Sequence, residues 1–195
     1  MRIAEVERRL ARHRRGEGRA LVEDDYGAAA MTEGKPAAVL IGLIDHGDEP
    51  SLLMTVRNAN MKRHAGQVAF PGGRADPGET AVETALREAE EEVALPRREV
   101  RVIGEMGLYR TGTGYRITPI IGVIPPGVAY RREEAEVAEI FELPLSHAID
   151  TANHIEEATE WQGALRRYYS IDWKPQRVWG ATAGMIVNFA RILGD

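Results

Sequence analysis

Three glutamates, Glu88, Glu91 and Glu92, are the residues of this chain whose type and spacing point most directly to chemistry. On a helix, positions three and four residues apart lie on neighbouring turns of one side, so the three carboxylates can meet. Like charges at these spacings repel each other by about a few tenths of a kcal/mol per pair, and a divalent cation removes that conflict. Carboxylate oxygens suit magnesium or manganese, which proteins commonly bind together with the phosphates of a substrate. The spacing therefore predicts a metal and diphosphate site.

A helix over about residues 80–93 is the element that must position these carboxylates. Because successive helical residues turn by about 100°, the apolar residues of this segment form a single stripe that should face a core. The stripe consists of Val82, Ala85, Leu86, Ala89 and Val93. A glutamate-rich helix face is by itself usually only solvated, but Gly72 and Gly73 precede this helix, and glycine lets a backbone approach a metal or a phosphate closely. The two glycines, followed by Glu79 just before the helix, therefore favour a metal site over a solvated face.

The stretch from Gly73 to Leu95 resembles the Nudix box, GX5EX7REUXEEXGU, in which U is an aliphatic residue. The first glycine and all glutamate and arginine positions of the box are filled here by Gly73, Glu79, Arg87, Glu88, Glu91 and Glu92. Ala94 replaces the last glycine of the box, and alanine tolerates a positive φ poorly. The resemblance implies a fold of the α/β class, a Nudix-type α/β/α sandwich with a mixed β-sheet. We expect this domain over residues 36–195, preceded by an N-terminal helix and connector over residues 1–35.

The resemblance also implies a role for each box residue. The ligands it implies for magnesium or manganese are the carboxylates of Glu88, Glu91 and Glu92 and the backbone carbonyl of Gly72. Arg87 would orient a glutamate through a bidentate pair, with Glu79 as the most plausible partner. The general base is left open, because Glu88 is the candidate within the box and a later glutamate, Glu136 or Glu139, could supply the base instead.

A second stretch, Leu52–Gly73, is similar to the signature of the coenzyme A pyrophosphatase branch of the Nudix hydrolases, which is approximately LLTxRS, a short spacer, an arginine and HAGQVAFPGG. Asn58 stands where the branch commonly has serine, and Lys62 stands where it has arginine. Positive charge is concentrated within eight residues of this stretch in a chain whose net charge is −5, which suits contacts with an outlying phosphate. The residues that would make these contacts are Arg57, Lys62, Arg63 and His64.

The two resemblances together imply metal-dependent hydrolysis of the diphosphate of coenzyme A, or of a coenzyme A derivative, to 3′,5′-ADP and 4′-phosphopantetheine. The same chemistry on another nucleoside diphosphate derivative, such as ADP-ribose, or on an oxidised nucleotide is the alternative. A non-catalytic nucleotide-binding module is a further alternative, although such a module would be expected to have lost box carboxylates that this chain keeps.

Composition excludes several other classes of protein. The 195 residues include no cysteine, which rules out a disulfide framework and a thiolate nucleophile and fits a cytoplasmic location. No apolar run approaches the roughly 18 residues that a membrane span needs. Net acidity argues against an ordinary nucleic-acid binder. We therefore expect a small-molecule substrate, and neither a nucleic acid nor a membrane as partner. The sequence leaves the oligomeric state open, a homodimer included.

The remaining elements are predicted from apolar patterning. The basic segment near the start of the sequence has Ile3, Val6 and Leu10 at helical spacing and predicts a short amphipathic helix, followed by a loosely structured connector over residues 16–34. Strands are predicted at residues 36–44, 52–57, 67–70, 100–109 and 115–124, and as a hairpin at residues 155–161 and 165–171. Helices are predicted near residues 144–150 and 178–193.

Overall fold

The apolar segment around residue 40 forms the central strand of the molecule, β1 (Lys35–Ile44). The computed structural model describes residues 1–13, 34–61, 64–161 and 163–194. Strand β1 pairs in parallel with β7 (Tyr115–Ile124) over its whole length. The second halves of both strands are buried, and a strand buried on both faces reads in sequence as a continuous apolar run. Both strands could be predicted for this reason.

Within the described residues, eight strands form one mixed sheet and three more form a small antiparallel sheet. The strands not yet named are β2 (Ser51–Arg57), β3 (Val68–Ala69), β4 (Gly72–Arg74), β5 (Arg101–Glu105), β6 (Tyr109–Arg110), β8 (Val137–Pro144), β9 (Ile155–Trp161), β10 (Ala164–Trp173) and β11 (Gln176–Trp179). The large sheet has the order β3-β2-β1-β7-β5, with β4 beside β1, β6 beside β7 and β8 beside β2. The small sheet has the order β11-β10-β9 and contains the predicted hairpin.

Helices cover both faces of the large sheet. Helix α2 (Ala81–Val93) packs on one face through the apolar stripe predicted from its sequence. Helices α1 (Ile3–His13) and α4 (Ala181–Gly194) pack on the other face, together with the short α3 (Leu145–Ile149). The architecture is therefore the predicted α/β/α sandwich with a mixed sheet. None of the helices in the described part of the chain is long and apolar enough to span a membrane.

The N-terminal helix belongs to the same core as the rest of the molecule. The three apolar residues of α1 are buried in one cluster with residues of α4. The guanidinium of Arg9 also donates to the backbone carbonyl of Leu193 near the end of α4. The boundary drawn at residue 35 therefore separates α1 from the domain in sequence but not in packing. The predicted connector over residues 16–34 lies outside the described residues, except for Gly34.

The segment 100–109, predicted as one strand, is interrupted. Strand β5 pairs with β7 as far as Glu105 and Ile120, and the preceding residue of β7 is Pro119, which has no N–H to donate. The N–H of Met106 donates to the carbonyl of Pro119 at 2.9 Å, after which the chain leaves the ladder and rejoins it as β6. The prediction of a continuous strand was therefore wrong.

Three strands were not predicted, namely β4, β8 and β11. Strand β4 is glycine-rich and was interpreted as a turn. In β8, Glu139 interrupts the alternation of apolar residues that would have indicated a strand. Strand β11 takes up residues 176–179, so α4 begins at Ala181 rather than near residue 178, as predicted. The segments that were missed are the ones whose local pattern is weak and whose pairing partners are distant in sequence.

Candidate metal centre

Helix α2, which carries the glutamates, has well-defined ends. The hydroxyl of Thr80 accepts the N–H of Glu83 at 3.2 Å, and the carboxylate of Glu83 accepts the N–H of Thr80 at 2.8 Å. This reciprocal capping box satisfies two donors that the start of a helix otherwise leaves free. At the other end, Ala94 has a φ of 55°, a left-handed conformation that costs a non-glycine residue roughly 1–2 kcal/mol. The glycine missing from the box is thus replaced by a strained alanine.

Arg87 and Glu79 form the bidentate pair that the resemblance implied. Arg87 Nε donates to Glu79 Oε1 at 2.8 Å, and Arg87 Nη2 donates to Glu79 Oε2 at 3.0 Å. The hydrogen bonds from Arg87, reinforced by the N–H of Asp76, lower the pKa of Glu79 to about 2. The same pair raises the pKa of Arg87 above its usual range. Both groups are therefore charged at every pH at which the protein would work.

Arg87 also contacts two of the predicted metal ligands. Its Nη1 donates to Glu88 Oε1 at 2.8 Å and to Glu91 Oε2 at 3.0 Å. Among the residues that the structure describes, no three acidic or histidine side chains already converge in a geometry that could hold a metal ion. The guanidinium thus neutralises the carboxylates whose mutual repulsion is evident from the sequence. It engages oxygens that a cation would need.

Glu88 lies against Gly73 of strand β4. A Cβ atom placed on Gly73 would lie 2.5 Å from the carboxylate of Glu88, so only glycine leaves the space that this carboxylate fills. Burial raises the pKa of Glu88, while its hydrogen bond and charge interaction with Arg87 act in the opposite direction. The glycines of β4 therefore form a cradle in which a carboxylate is held against backbone, as the predicted site requires.

Glu92 is the most buried carboxylate of the cluster, with 4% of its surface exposed. It accepts the N–H of Gly72 at 3.3 Å, a long hydrogen bond that compensates little of the cost of burial. Burial, with smaller contributions from the charges of Glu88 and Glu136, raises the pKa of Glu92 to about 8 against the opposing effects of the Gly72 N–H and of Arg57. A buried carboxylate with so little compensation fits a hard divalent cation as its missing partner.

The residues predicted to bind an outlying phosphate divide into three groups. Arg57, at the end of β2, lies close enough to Glu92 to lower the pKa of that carboxyl, and its buried Nε has no hydrogen-bond partner among the described residues. His64 is exposed, and its Nδ1 lies 2.9 Å from Oε1 of Gln67 in the same loop. Lys62 and Arg63 lie outside the described residues. Of the two described members of this set, Arg57 is thus the one whose charge acts on the glutamates.

The structure also separates the two later glutamates that were candidates for the base. Glu136 raises the pKa of both Glu88 and Glu92 by its charge, in addition to the larger effect of burial. Glu139 pairs with Val56 on the face of the sheet that packs against α1 and α4, and it accepts two hydrogen bonds from Nε2 of Gln176, at 2.8 and 2.9 Å. The charge of Glu136 therefore acts on the cluster, whereas the carboxylate of Glu139 is engaged by Gln176.

Glu136 reaches the cluster because its loop is attached to the end of α2. The backbone N–H of Glu133 donates to the carbonyl of Glu92 at 2.8 Å, and the N–H of Arg131 donates to the carbonyl of Val93 at 3.1 Å. These bonds use carbonyls that the end of a helix leaves free. The candidate site is therefore built from the carboxylates of Glu88, Glu91, Glu92 and Glu136, from Arg57 and the Arg87–Glu79 pair, and from the glycines of β4.

The chain is similar to known proteins over most of its length. A model of the NUDIX domain matches residues 34–173. A protein of Photorhabdus laumondii subsp. laumondii, named uncharacterized Nudix hydrolase NudL, is 43% identical over 156 residues, which cover 80% of this chain and 83% of that protein. The protein of the same name from Escherichia coli O6:H1 is 42% identical over 161 residues, covering 82% and 83%. Among solved structures, a Nudix hydrolase from M. smegmatis, RenU, matches with a TM-score of 0.52 and 23% sequence identity. The match covers 68% of this chain and 84% of that chain, and it shows a similarity of fold alone.

Proposed function

This chain belongs to the Nudix family, and from that premise we propose that it hydrolyses the diphosphate of coenzyme A to 3′,5′-ADP and 4′-phosphopantetheine. The observation that carries the proposal is the position of Arg57. It belongs to the stretch that resembles the coenzyme A branch, and it presents a buried, unpartnered Nε beside Glu92, among the described residues. A carboxylate cluster that can hold a metal, beside an arginine whose Nε has no hydrogen-bond partner among the described residues, suits a substrate with a diphosphate and a further phosphate.

Magnesium or manganese is the cofactor of the proposed reaction. The carboxylates of Glu88, Glu91 and Glu92 and the backbone carbonyl of Gly72 would hold it, and the burial of Glu92 and the cradle at Gly73 support that assignment. When bound, a divalent cation neutralises charge on the diphosphate and orients it for attack by water.

Arg87 is proposed to position the carboxylates rather than to contact the substrate. Its bidentate pair with Glu79 is independent of its bonds to Glu88 and Glu91. The guanidinium therefore keeps a charged partner when Glu88 and Glu91 turn to other ligands, and it remains beside them to hold their orientation.

The proton of the attacking water is proposed to pass to a carboxylate of this cluster. A general base must lie within hydrogen-bond reach of the proton that it removes, directly or through one water. Glu88 is the candidate within the box, and Glu136 is the candidate outside it because its charge acts on Glu88 and Glu92. Glu139 is disfavoured by its bonds to Gln176.

The outlying phosphate is proposed to meet the cations of the stretch before the box. The set consists of Arg57, whose charge acts on Glu92, of the exposed His64, and of Lys62 and Arg63. With no cysteine among its 195 residues, the chain suits the reducing cytoplasm in which we propose that it acts.

Product analysis tests the proposal directly. The pure protein and Glu91→Gln are incubated with coenzyme A, ADP-ribose or 8-oxo-dGTP, with magnesium or with EDTA. We expect metal-dependent release of 3′,5′-ADP from coenzyme A, reduced by at least about 10²-fold in Glu91→Gln, the scale of losing one preorganised charged group. Glu90→Gln, on the exposed side of the same helix, is the matched control and should retain activity.

Turnover of ADP-ribose or 8-oxo-dGTP without turnover of coenzyme A would retain the chemistry of the box and reject the substrate. Turnover of none of the three, with either magnesium or manganese, would favour a nucleotide-binding module instead.

A further inference from the structure

We propose that Asn58 is a positioning residue that holds Glu136 beside Glu88 and Glu92. The inference rests on the proposed hydrolase function, because it concerns the geometry of that same carboxylate cluster. Asn58 lies immediately after β2 and therefore follows Arg57 in the chain. Asn58 is also the position at which this sequence departs from the serine of the branch that it resembles.

Asn58 uses both its backbone and its side chain to join two loops. Its backbone N–H donates to the carbonyl of Glu136 at 2.7 Å. Its side-chain Nδ2 donates to the carbonyl of Glu134 at 2.6 Å, and its Oδ1 accepts the N–H of Asn60 at 2.8 Å. One carboxamide thus fixes its own loop with its oxygen and the loop before β8 with its nitrogen.

The loop before β8 is held from its other side by helix α2. The N–H groups of Arg131 and Glu133 donate to carbonyls at the end of α2, and the N–H of Glu136 donates back to the carbonyl of Glu133 at 3.0 Å. The loop is therefore attached to α2 near its start and to Asn58 near its end. Glu136 lies at the second attachment, so its distance from the α2 carboxylates depends on Asn58.

The two hydrogen bonds from Asn58 to the carbonyls of Glu134 and Glu136, which we call the clasp, counter the negative charge near Glu136. The charge of Glu136 acts on Glu88 and, above the raised pKa of Glu92, on that buried carboxylate as well, and like charges repel. Two hydrogen bonds from Asn58 oppose that repulsion. A serine would keep the backbone bond to Glu136 but would offer a single oxygen on a shorter side chain in place of a separate donor and acceptor, so the second bond, to Glu134, depends on the amide.

The substitution Asn58→Asp tests the clasp with almost no change in size. It keeps the oxygen that accepts the N–H of Asn60 and replaces the donor to Glu134 with an oxygen that faces a carbonyl. Asn60→Asp is the matched control, because it adds the same charge two residues away on an exposed residue of the same loop. We expect Asn58→Asp to lower kcat for coenzyme A by on the order of 10- to 100-fold and Asn60→Asp to leave kcat unchanged, while any rise in KM caused by the added charge in the basic stretch should be shared by both variants.

A double-mutant cycle separates positioning of Glu136 from a general structural role. If Asn58 acts through Glu136, Asn58→Asp causes no further loss of kcat once Glu136→Gln has been made. The same loss in both backgrounds would overturn the inference, and so would wild-type kcat in Asn58→Asp. Equal melting temperatures of the variants and the wild type show that the comparison is made between folded proteins.

Amide hydrogen exchange gives a readout that does not depend on activity. The backbone amide of residue 58 is bonded to Glu136, and we expect it to exchange at least about 10-fold faster in Asn58→Asp, as a locally opened hydrogen bond does. If the wild type hydrolyses none of the three compounds, the proposed function fails while this measurement still reports on the clasp. Unchanged exchange at residue 58 would overturn the clasp itself.

Discussion

Replacing Glu92 by glutamine should stabilise the protein in the absence of metal, even though it removes a predicted ligand. Glu92 is buried, and in the folded state the pKa of its carboxyl is raised from 4.5 to about 8. Below pH 4.5 the carboxyl is neutral in both the folded and the unfolded chain, so it costs nothing. Between pH 4.5 and 8 the folded state holds a proton that the unfolded state has lost, so stability falls as the pH rises.

The size of the effect follows from the shift. One unit of pKa corresponds to about 1.36 kcal/mol. Relative to a neutral group, Glu92 therefore costs the folded state about 3 kcal/mol at pH 7 and about 4 kcal/mol at pH 8. Glutamine removes this cost but buries an amide NH₂ whose hydrogen bonds are incomplete, at about 1–2 kcal/mol. We expect a net gain in the free energy of unfolding of about 2 kcal/mol at pH 7, and none at pH 5.

Urea unfolding in EDTA at pH 5, 7 and 8 measures this difference between variant and wild type. Glu90→Gln is the control on the same helix, because Glu90 is exposed and its ion pair with Arg97 should contribute at most about 1 kcal/mol. Magnesium should then stabilise the wild type more than Glu92→Gln, because only the wild type keeps the full set of carboxylates. A variant that is less stable than the wild type at pH 8 without metal would refute the assignment of Glu92 as an uncompensated buried acid.

Three further substitutions test the packing around the site. Gly73→Ala should reduce hydrolysis about 10- to 100-fold, because its Cβ would displace the carboxylate of Glu88, while the urea midpoint changes little. Ala94→Gly should raise the free energy of unfolding by about 1 kcal/mol, because glycine adopts a φ of 55° without strain, and a decrease in urea stability would contradict this. Gly184→Ala should cost about 1–3 kcal/mol in thermal unfolding, because the added methyl would overlap the hydroxyl of the buried Tyr109, and an unchanged melting temperature would show that α4 can shift.

The part of the site that lies on α2 could be predicted because its geometry is local. Helical spacing alone places Glu88, Glu91 and Glu92 on one side of the helix. The pair of Arg87 with Glu79 was implied by the resemblance to the Nudix box. The position of Ala94 also signalled a strained helix end, which its positive φ confirms. These features need no knowledge of how distant segments pack.

The part of the site that comes from other segments could not be predicted in this way. Glu136 is brought to α2 by backbone N–H groups of Arg131 and Glu133. Every residue except proline has a backbone N–H, so the sequence does not indicate which residues donate. Sequence spacing also does not tell that Arg87 bonds to Glu88 and Glu91 as well as to Glu79. The choice of coenzyme A as substrate stays a prediction.

The contact between α1 and α4 has a consequence for how the chain is made. Arg9 and Leu193 touch across a separation of 184 residues. At a synthesis rate of roughly 5–20 residues per second, about 10–40 s pass between the two, and during this time the apolar side of α1 has no α4 to cover it. We expect that face to be a binding site for chaperones on the ribosome, and nascent chains that end before residue 181 to retain it.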